Sequence, residues 1–137
     1  MSTDTAFRSK YGPWALVAGA AVGLGAEYAR QLAAHGLNLA LLDRDSEPLR
    51  ATAEEIRSRC GVRTTSVVLD LARPDILDAL RPQIGDLEIG LVVYNAAIGT
   101  VAPFLELQPA HCEIMVDVNC RGPIRLAHAL LPPMVRR

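Results

Sequence analysis

The stretch Gly19-Ala20-Ala21-Val22-Gly23-Leu24-Gly25 determines the fold of this chain. It follows the short apolar run from Trp14 to Ala18 and precedes a helical pattern, so its glycines stand between a predicted strand and a predicted helix. Glycine at these points allows a sharp strand exit, close approach of a phosphate to the backbone and tight helix–strand contact. The first N–H groups of the helix then face an anion with the positive end of the helix dipole. The turn predicts a phosphate-binding loop, and the alternative is a purely structural turn. The candidate contacts are Gly19, Ala21, Val22, Gly23, Leu24 and Gly25.

Three further apolar runs repeat the pattern of a short strand followed by a helix. They are Leu37 to Leu42, Thr64 to Leu69 and Leu87 to Val93. Apolar runs without strict alternation suit parallel strands that are covered on both faces. The pattern predicts an α/β fold, a Rossmann-type parallel sheet with helices on both faces, in the strand order 3-2-1-4 that right-handed crossovers favour. A ligand of such a sheet binds at the carboxyl ends of the strands, where the order reverses.

The segments between the runs carry helix start and stop signals. The predicted helices begin after Gly25, at Ser46, at Pro74 and at Pro109, and the predicted ends are Gly36, Gly61, Pro82 and Pro132. In the first helix, Leu24, Tyr28 and Leu32 fall four residues apart, and we expect them on one face, with small alanines beside them. Small side chains would let this helix lie close to the sheet.

Composition and charge exclude several classes of function. Half of the residues are apolar and 21% are charged, which indicates a globular domain rather than a disordered chain. A net charge of −1 gives the chain no overall electrostatic attraction to nucleic acid or to an anionic membrane. The 3 cysteines are too few and too scattered to form a disulfide framework, and no pair of potential ligands has a spacing typical of a zinc site. No apolar run reaches the roughly 20 residues that a membrane span requires. We expect a cytoplasmic protein without a metal, a membrane span or a nucleic-acid partner.

Carboxylates follow the second and third predicted strands. Asp43 lies 18 residues after Gly25, where a carboxylate accepts hydrogen bonds from an adenosine ribose. Arg44 follows directly and suits a 2′-phosphate instead. Asp70 and the adjoining Leu71 end the third strand, within reach of an adenine. These positions predict an NAD site, with NADP as the alternative cofactor. A solvated turn residue is the other interpretation of each aspartate.

Roughly residues 9–135 resemble the N-terminal half of a short-chain dehydrogenase/reductase, and the opening KYGPWALVAGAAVGLGAEYA resembles its keto-reductase and hydroxysteroid-dehydrogenase branch. AGAAVGLG stands at the family's TGxxxGIG cofactor loop, and Asp70-Leu71 stands at its adenine-contacting Asp. YNAA at residues 94–97 matches NNAG, and VNCRG at residues 118–122 matches VNxxG. The resemblance implies an NAD(P)-dependent oxidoreductase acting on a hydroxyl or carbonyl group. It implies that Asn95, Ala96 and Ala97 contact the cofactor and that Asn119 belongs to the catalytic tetrad. Residues 1–12 are then a polar arm and residues 13–137 a cofactor-binding half-domain.

Three residues depart from the family pattern. Ala18 replaces a Thr whose hydroxyl helps tie the cofactor loop to the end of the fourth strand. Tyr94 replaces the first Asn of NNAG. Ala97 replaces its Gly, so position 97 needs a backbone conformation that alanine permits, and its methyl group points toward the cofactor. These departures bear on cofactor affinity more than on the fold.

Pro123 stands four residues after Asn119 in the fourth helical segment. Because proline has no N–H, the Asn119 carbonyl loses its helical partner, and we expect a kink there. The resemblance implies the same feature, because the family places its catalytic Asn at such a kink, where it supports a proton-relay water. The alternative is a helix that bends around the core, with Asn119 satisfied locally.

The family's catalytic YxxxK pair has no counterpart in the sequence. Lys10 is the only lysine, and it precedes Tyr11, Tyr28 and Tyr94. Since Asn119 alone cannot transfer a proton, we expect the chain to be inactive by itself, as the cofactor-binding part of an oxidoreductase. A non-catalytic dinucleotide-binding or regulatory module and a relic that binds nothing are the alternatives.

The predicted fourth strand and fourth helix also bear on assembly. The strand lies at an uncovered edge of the sheet, and GLVVY at residues 90–94 has no charge or proline to protect it. The helix carries an apolar stripe that needs a partner. Together they predict a homo-oligomer. The stripe consists of Ile114, Val118, Leu126 and Leu130.

Overall fold

The core of the protein is a parallel sheet of four strands in the order β3-β2-β1-β4. It is seen in a computed structural model that describes residues 3–137. The strands are β1 (Trp14–Ala18), β2 (Asn38–Asp43), β3 (Thr64–Val68) and β4 (Ile89–Tyr94). Each neighbouring pair runs parallel. The predicted α/β class and strand order are therefore confirmed.

Helices connect the strands and cover both faces of the sheet. They are α1 (Thr3–Tyr11), α2 (Gly23–Ala34), α3 (Ser46–Cys60), α4 (Ile76–Ile84), α5 (Pro109–Val116) and α6 (Gly122–Val135), with a π-helical segment, Asp117–Arg121, between the last two. Pro82 and Pro132 do not end their helices as predicted but lie inside α4 and α6. In α4, the last turn persists because Leu80 and Ile84, on either side of Pro82, are buried.

Both faces of the sheet are buried, as the continuous apolar runs require. Leu16 and Leu42 pack in a cluster with residues of α4 and α6 on one face. Val17 and Leu41, their neighbours along β1 and β2, pack in a second cluster with residues of α2 and α3. Successive strand residues point to opposite faces, so β1 and β2 contribute to both clusters.

The small residues of α2 bring it against the sheet, as the sequence predicts. Ala26 and Ala29 are buried. Of the three larger side chains spaced four residues apart, only Leu32 is buried, whereas Leu24 and Tyr28 are 63% and 45% exposed. The short alanine side chains let the helix backbone lie close to β1, which leaves the two exposed side chains on the outer side.

Residues at the start of the chain form a helix where a polar arm was expected. In α1, Phe7 and Tyr11 lie four residues apart, and their ring centroids are 4.8 Å apart. Both side chains pack partly against the α2–α3 cluster. The apolar pair thus attaches a mostly polar helix to the domain.

The apolar stripe that predicted an oligomer interface faces mainly inward. Val118 and Leu126 are buried, and Leu130 packs partly against the same core. Only Ile114 of the predicted stripe is exposed, at 42%. Within residues 3–137, β4 pairs with β1 alone, so its other edge has no strand beside it.

The last residue of the chain lies beside the start of β4. The Arg137 guanidinium donates to the Gly12 carbonyl at 2.6 Å and forms an ion pair with Glu88 at 3.1 Å. Glu88 directly precedes β4. The helix α6 therefore returns the chain to the amino end of the sheet.

Candidate functional site

A cleft of about 230 Å³ opens at the carboxyl ends of the strands. This is the place that the strand order predicts for a ligand. The cleft is lined by many of the residues predicted as cofactor contacts, namely Gly19, Val22, Asp43, Arg44, Asp70, Leu71, Asn95, Ala96 and Ala97. Residues that were not predicted as cofactor contacts complete the lining, namely Asp45, Leu69, Ile98 and Val118.

The amino terminus of α2 is open to an anion. Gly23 has φ +61°, and a Cβ built there would meet no atom within 4 Å, so the position demands glycine but leaves free space beside it. Val22, the N-cap, makes no side-chain cap, and the first turn has no acidic residue. Backbone N–H groups at this end therefore remain available to a negatively charged group.

The remaining loop positions have other roles. A Cβ on Gly25 would lie 1.8 Å from the Gly19 carbonyl oxygen, so Gly25 serves the close contact of α2 with the strand exit. Leu24 is exposed. Neither residue lines the cleft, and neither do Ala21 and Gly23. Of the loop residues predicted as contacts, Gly19 and Val22 line the cleft, whereas Gly25 shapes the loop.

The peptide groups of Ala21 are hydrogen-bonded on both sides. Its N–H donates to the Asp43 carboxylate at 2.9 Å, and its carbonyl accepts from the Thr52 hydroxyl at 2.8 Å. Thr52 is buried in α3 and was missed in the sequence, where a threonine on the inner face of a helix gives only a weak signal. Asp43 thus fixes the loop as well as facing the cleft.

Carboxylates outnumber cationic groups around this half of the cleft. Asp43, Asp45 and Asp70 line it together with one guanidinium, that of Arg44. Arg44 lies 3.9 Å from the Asp45 carboxylate and is largely exposed. Asp70 also accepts the N–H of Ala72, which keeps its carboxylate at the end of β3.

Backbone groups join the ends of β1 and β4, at the position where Ala18 replaces the family's threonine. The Ala18 carbonyl accepts the N–H groups of Asn95 at 2.9 Å and Ala96 at 3.0 Å. The Asn95 side-chain amide donates to the Gly19 carbonyl at 3.2 Å. This connection does not need a hydroxyl at position 18. Ala97 is also tolerated, because no non-glycine residue among the described ones has a positive φ.

The π-helical segment lies directly before Pro123, where a kink is predicted, and its register leaves a different carbonyl unpaired from the one predicted. The Gly122 N–H donates to the Asp117 carbonyl, five residues back. In this register the next donor, for Val118, would be Pro123, which has no N–H. The Tyr94 hydroxyl donates to the Val118 carbonyl at 2.6 Å and replaces the missing partner. Burial raises the pKa of Tyr94 from 10.0 to about 12.

Asn119 does not line the cleft, and its side chain is occupied by a neighbouring backbone. Its amide oxygen accepts the Ile98 N–H at 2.9 Å, and its amide nitrogen donates to the Ile98 carbonyl at 2.7 Å. The side chain of Asn119 is thus satisfied, but by Ile98, 21 residues away, rather than locally within its own helix. In this arrangement Asn119 positions the segment that follows β4.

Comparisons with known proteins find similarity to two human proteins. At 32% identity it is similar to the human very-long-chain 3-oxoacyl-CoA reductase, with 92% of this chain and 42% of that protein covered. The human inactive hydroxysteroid dehydrogenase-like protein 1 is 33% identical, with 93% and 40% covered. The chain thus spans well under half the length of these relatives.

Solved structures give the same picture. A structure of a 7β-hydroxysteroid dehydrogenase superposes with a TM-score of 0.89 at 28% identity, over 94% of this chain and 50% of that one. A short-chain dehydrogenase from Sphingobium yanoikuyae in complex with NADPH gives 0.84 at 32% identity, over 91% and 49%. The family model for short chain dehydrogenases matches residues 13–137. With the predicted sheet order and glycine loop both present, this chain belongs to the short-chain dehydrogenase family.

Proposed function

We propose that the chain binds a nicotinamide adenine dinucleotide in the cleft at the carboxyl ends of the strands. The observation that carries this proposal is the uncapped amino terminus of α2, which opens beside Gly23 with no side chain in the way. A pyrophosphate fits such a helix end because it is an anion and accepts several N–H groups. A cofactor bound there would supply hydride transfer, and the chain's own residues hold and orient it.

The dimensions of the cleft indicate how much of the ligand this chain encloses. Its volume of about 230 Å³ is below the roughly 300–1,000 Å³ of ligand pockets. The cleft would therefore cover one side of a dinucleotide and leave the other side open. Further protein would be needed to enclose a substrate, and the relatives are more than twice as long as this chain.

We propose NAD rather than NADP as the preferred dinucleotide. The Asp43 carboxylate lies at the ribose end, and Asp45 and Asp70 add further carboxylates around the same space. A 2′-phosphate would be repelled there, and Arg44 already lies near Asp45. NADP is the alternative cofactor, because one of the similar solved structures is a complex with NADPH.

The role we propose in catalysis is that of the cofactor-binding part of an oxidoreductase for hydroxyl or carbonyl groups, inactive as this chain alone. Among the family's catalytic positions, the chain provides only Asn119, whose amide is engaged with Ile98. The similarity to the human inactive hydroxysteroid dehydrogenase-like protein 1 supports a second candidate function, a non-catalytic dinucleotide-binding module. Restoring a downstream segment with Ser and YxxxK would produce turnover in the first case and none in the second.

Calorimetric titration with NAD tests the proposed binding site. Gly23→Asp places a carboxylate where a phosphate would lie, so we expect at least a tenfold loss of affinity, on the order of an anion contact. Gly61→Asp is the matched control, since Gly61 has φ +66° against +61° and also has no atom within 4 Å of a built Cβ. It ends α3, far from the cleft.

The two variants separate three outcomes. Loss of binding in Gly23→Asp but not in Gly61→Asp supports the site. An equal loss of NAD affinity in both variants, or no loss in either, would show that the binding site is not at the glycine loop. Absence of binding by the unmodified chain at millimolar NAD would reject the proposed function and favour a relic.

A further inference from the structure

We propose that Tyr94 is a positioning residue for the part of the cleft that receives the nicotinamide end of the dinucleotide. The inference rests on the proposed function and concerns a position where this chain departs from the family's Asn. The part of the cleft in question is formed by residues 95–98, called here the 95–98 wall, all of which line the cleft.

The 95–98 wall is held at both ends by the π-helical segment Asp117–Arg121. It begins directly after Tyr94, whose hydroxyl donates to the Val118 carbonyl at 2.6 Å. It ends at Ile98, whose N–H and carbonyl both bond to the amide of Asn119. Val118 and Asn119 are neighbours in the π-helical segment. A shift of this segment would therefore move both ends of the wall together.

The π-helical segment and the residues directly after it accommodate a phenol at position 94. A Cβ on Gly122 would lie 2.3 Å from the Tyr94 hydroxyl oxygen, so the absence of a side chain there makes room for the hydroxyl. The Val118 carbonyl needs an outside donor, because Pro123 cannot supply one. An Asn at position 94 has a shorter side chain and cannot extend as far from β4. Tyr94, Gly122 and Pro123 thus form one interdependent arrangement.

The order of the strands relates this arrangement to one end of the ligand. Asp43 ends β2 and would receive the adenosine ribose, and the glycine loop after β1 would receive the pyrophosphate. A dinucleotide that continues in the same direction reaches β4 next, because the strand order is β3-β2-β1-β4. The nicotinamide end would therefore lie against the 95–98 wall, and the adenosine end would not touch it.

Titration with two ligands tests the role of the hydroxyl. NAD carries the nicotinamide, and ADP-ribose lacks it. In Tyr94→Phe we expect about a fivefold weaker affinity for NAD, the equivalent of one ordinary hydrogen bond, and less than about a twofold change for ADP-ribose. Tyr11→Phe is the matched control, because Tyr11 is a partly buried tyrosine on α1, and it should alter neither affinity. Equal changes for both ligands in Tyr94→Phe, or none, would overturn the proposal.

Amide hydrogen exchange tests the same inference without a ligand. We expect the exchange rate of the Ile98 amide to rise at least about fivefold in Tyr94→Phe, while that of Leu41 in β2 stays unchanged. Gly122→Ala should produce the same change, because its Cβ displaces the hydroxyl. Unchanged exchange at Ile98 in both variants would overturn the positioning role. If the unmodified chain binds neither ligand, the proposed function fails, and the exchange experiment still decides whether Tyr94 holds the wall.

Discussion

The Asp43 carboxylate accepts a hydrogen bond from the Ala21 N–H at 2.9 Å. The last residue of β2 thereby holds the loop that leaves β1, and the Thr52 hydroxyl holds the carbonyl of the same alanine. The group expected to contact a ribose and the loop expected to contact a pyrophosphate are thus one hydrogen-bonded unit. Changes at Asp43 or Thr52 should therefore alter both loop stability and ligand preference.

Replacement of Asp43 should change the preference between NAD and NADP. Asp43→Asn removes a charge but keeps an oxygen that can accept the Ala21 N–H. We expect the ratio of NAD to NADP affinity to fall about 5- to 30-fold, the equivalent of 1 to 2 kcal/mol for a charge pair at a solvated site. Calorimetric titration with both cofactors measures this ratio. Asp86→Asn, in the turn before β4, serves as the control, and an unchanged ratio in Asp43→Asn would contradict the prediction.

Loss of the Thr52 hydroxyl should destabilise the domain. Thr52 is only 6% exposed, so Thr52→Val leaves the Ala21 carbonyl without its donor in a buried position. We expect the free energy of unfolding to fall by about 1 kcal/mol, as measured by urea denaturation. Thr52→Ser keeps the hydroxyl and should retain NAD affinity. A Val variant as stable as the unmodified chain would show that this hydrogen bond contributes nothing.

Tyr94 should ionise later than a free tyrosine. Burial raises its pKa from 10.0 to about 12, so between these values the folded chain keeps a proton that the unfolded chain has lost. Its contribution to stability is therefore complete below pH 10 and is lost as the pH rises toward 12. The difference in tyrosinate absorbance between the unmodified chain and Tyr94→Phe isolates this group. A difference titration centred at 10 would contradict the prediction.

The oligomer predicted from the sequence stays a prediction, although its expected stripe faces inward. The free edge of β4 remains, and Ile124 and Leu131 on α6 are 68% and 48% exposed. Light scattering over a concentration series should show association between copies of this chain. The double variant Ile124→Glu/Leu131→Glu should raise the monomer fraction, whereas Val101→Glu, at a fully exposed loop position, should not. A monomer at every concentration would refute the prediction.

The sheet was predictable because its signals are local. The apolar runs, the glycine loop, the aspartate that ends β2 and the aspartate that follows β3 can each be found within a few residues of sequence. The face of α2 was less predictable, since both Leu24 and Ala26 are apolar and only the distance to β1 decides which is buried. Short alanine side chains allow the close approach, and that depends on the whole sheet.

The interactions at the site that join distant parts of the chain could not be predicted. Thr52 meets Ala21 across 31 residues, and Tyr94 meets Val118 across 24. The missing N–H of Pro123 was evident in the sequence, but which carbonyl it leaves unpaired depends on the helix register. An α-helical register indicated Asn119, and the π-helical register places the effect at Val118.

The contact of Arg137 with Gly12 and Glu88 has a consequence for attaching other polypeptides to this domain. It places the carboxyl end of the chain beside the first residue of β4, whereas the cleft lies beyond the last. The six residues of β4 separate these points by about 20 Å, at roughly 3.3 Å per residue. A segment joined after Arg137 therefore begins at the end of the sheet away from the cleft, beside the start of β4. If it extends along the free edge of β4 toward the cleft, it runs in the same direction as β4 and can pair with it in parallel.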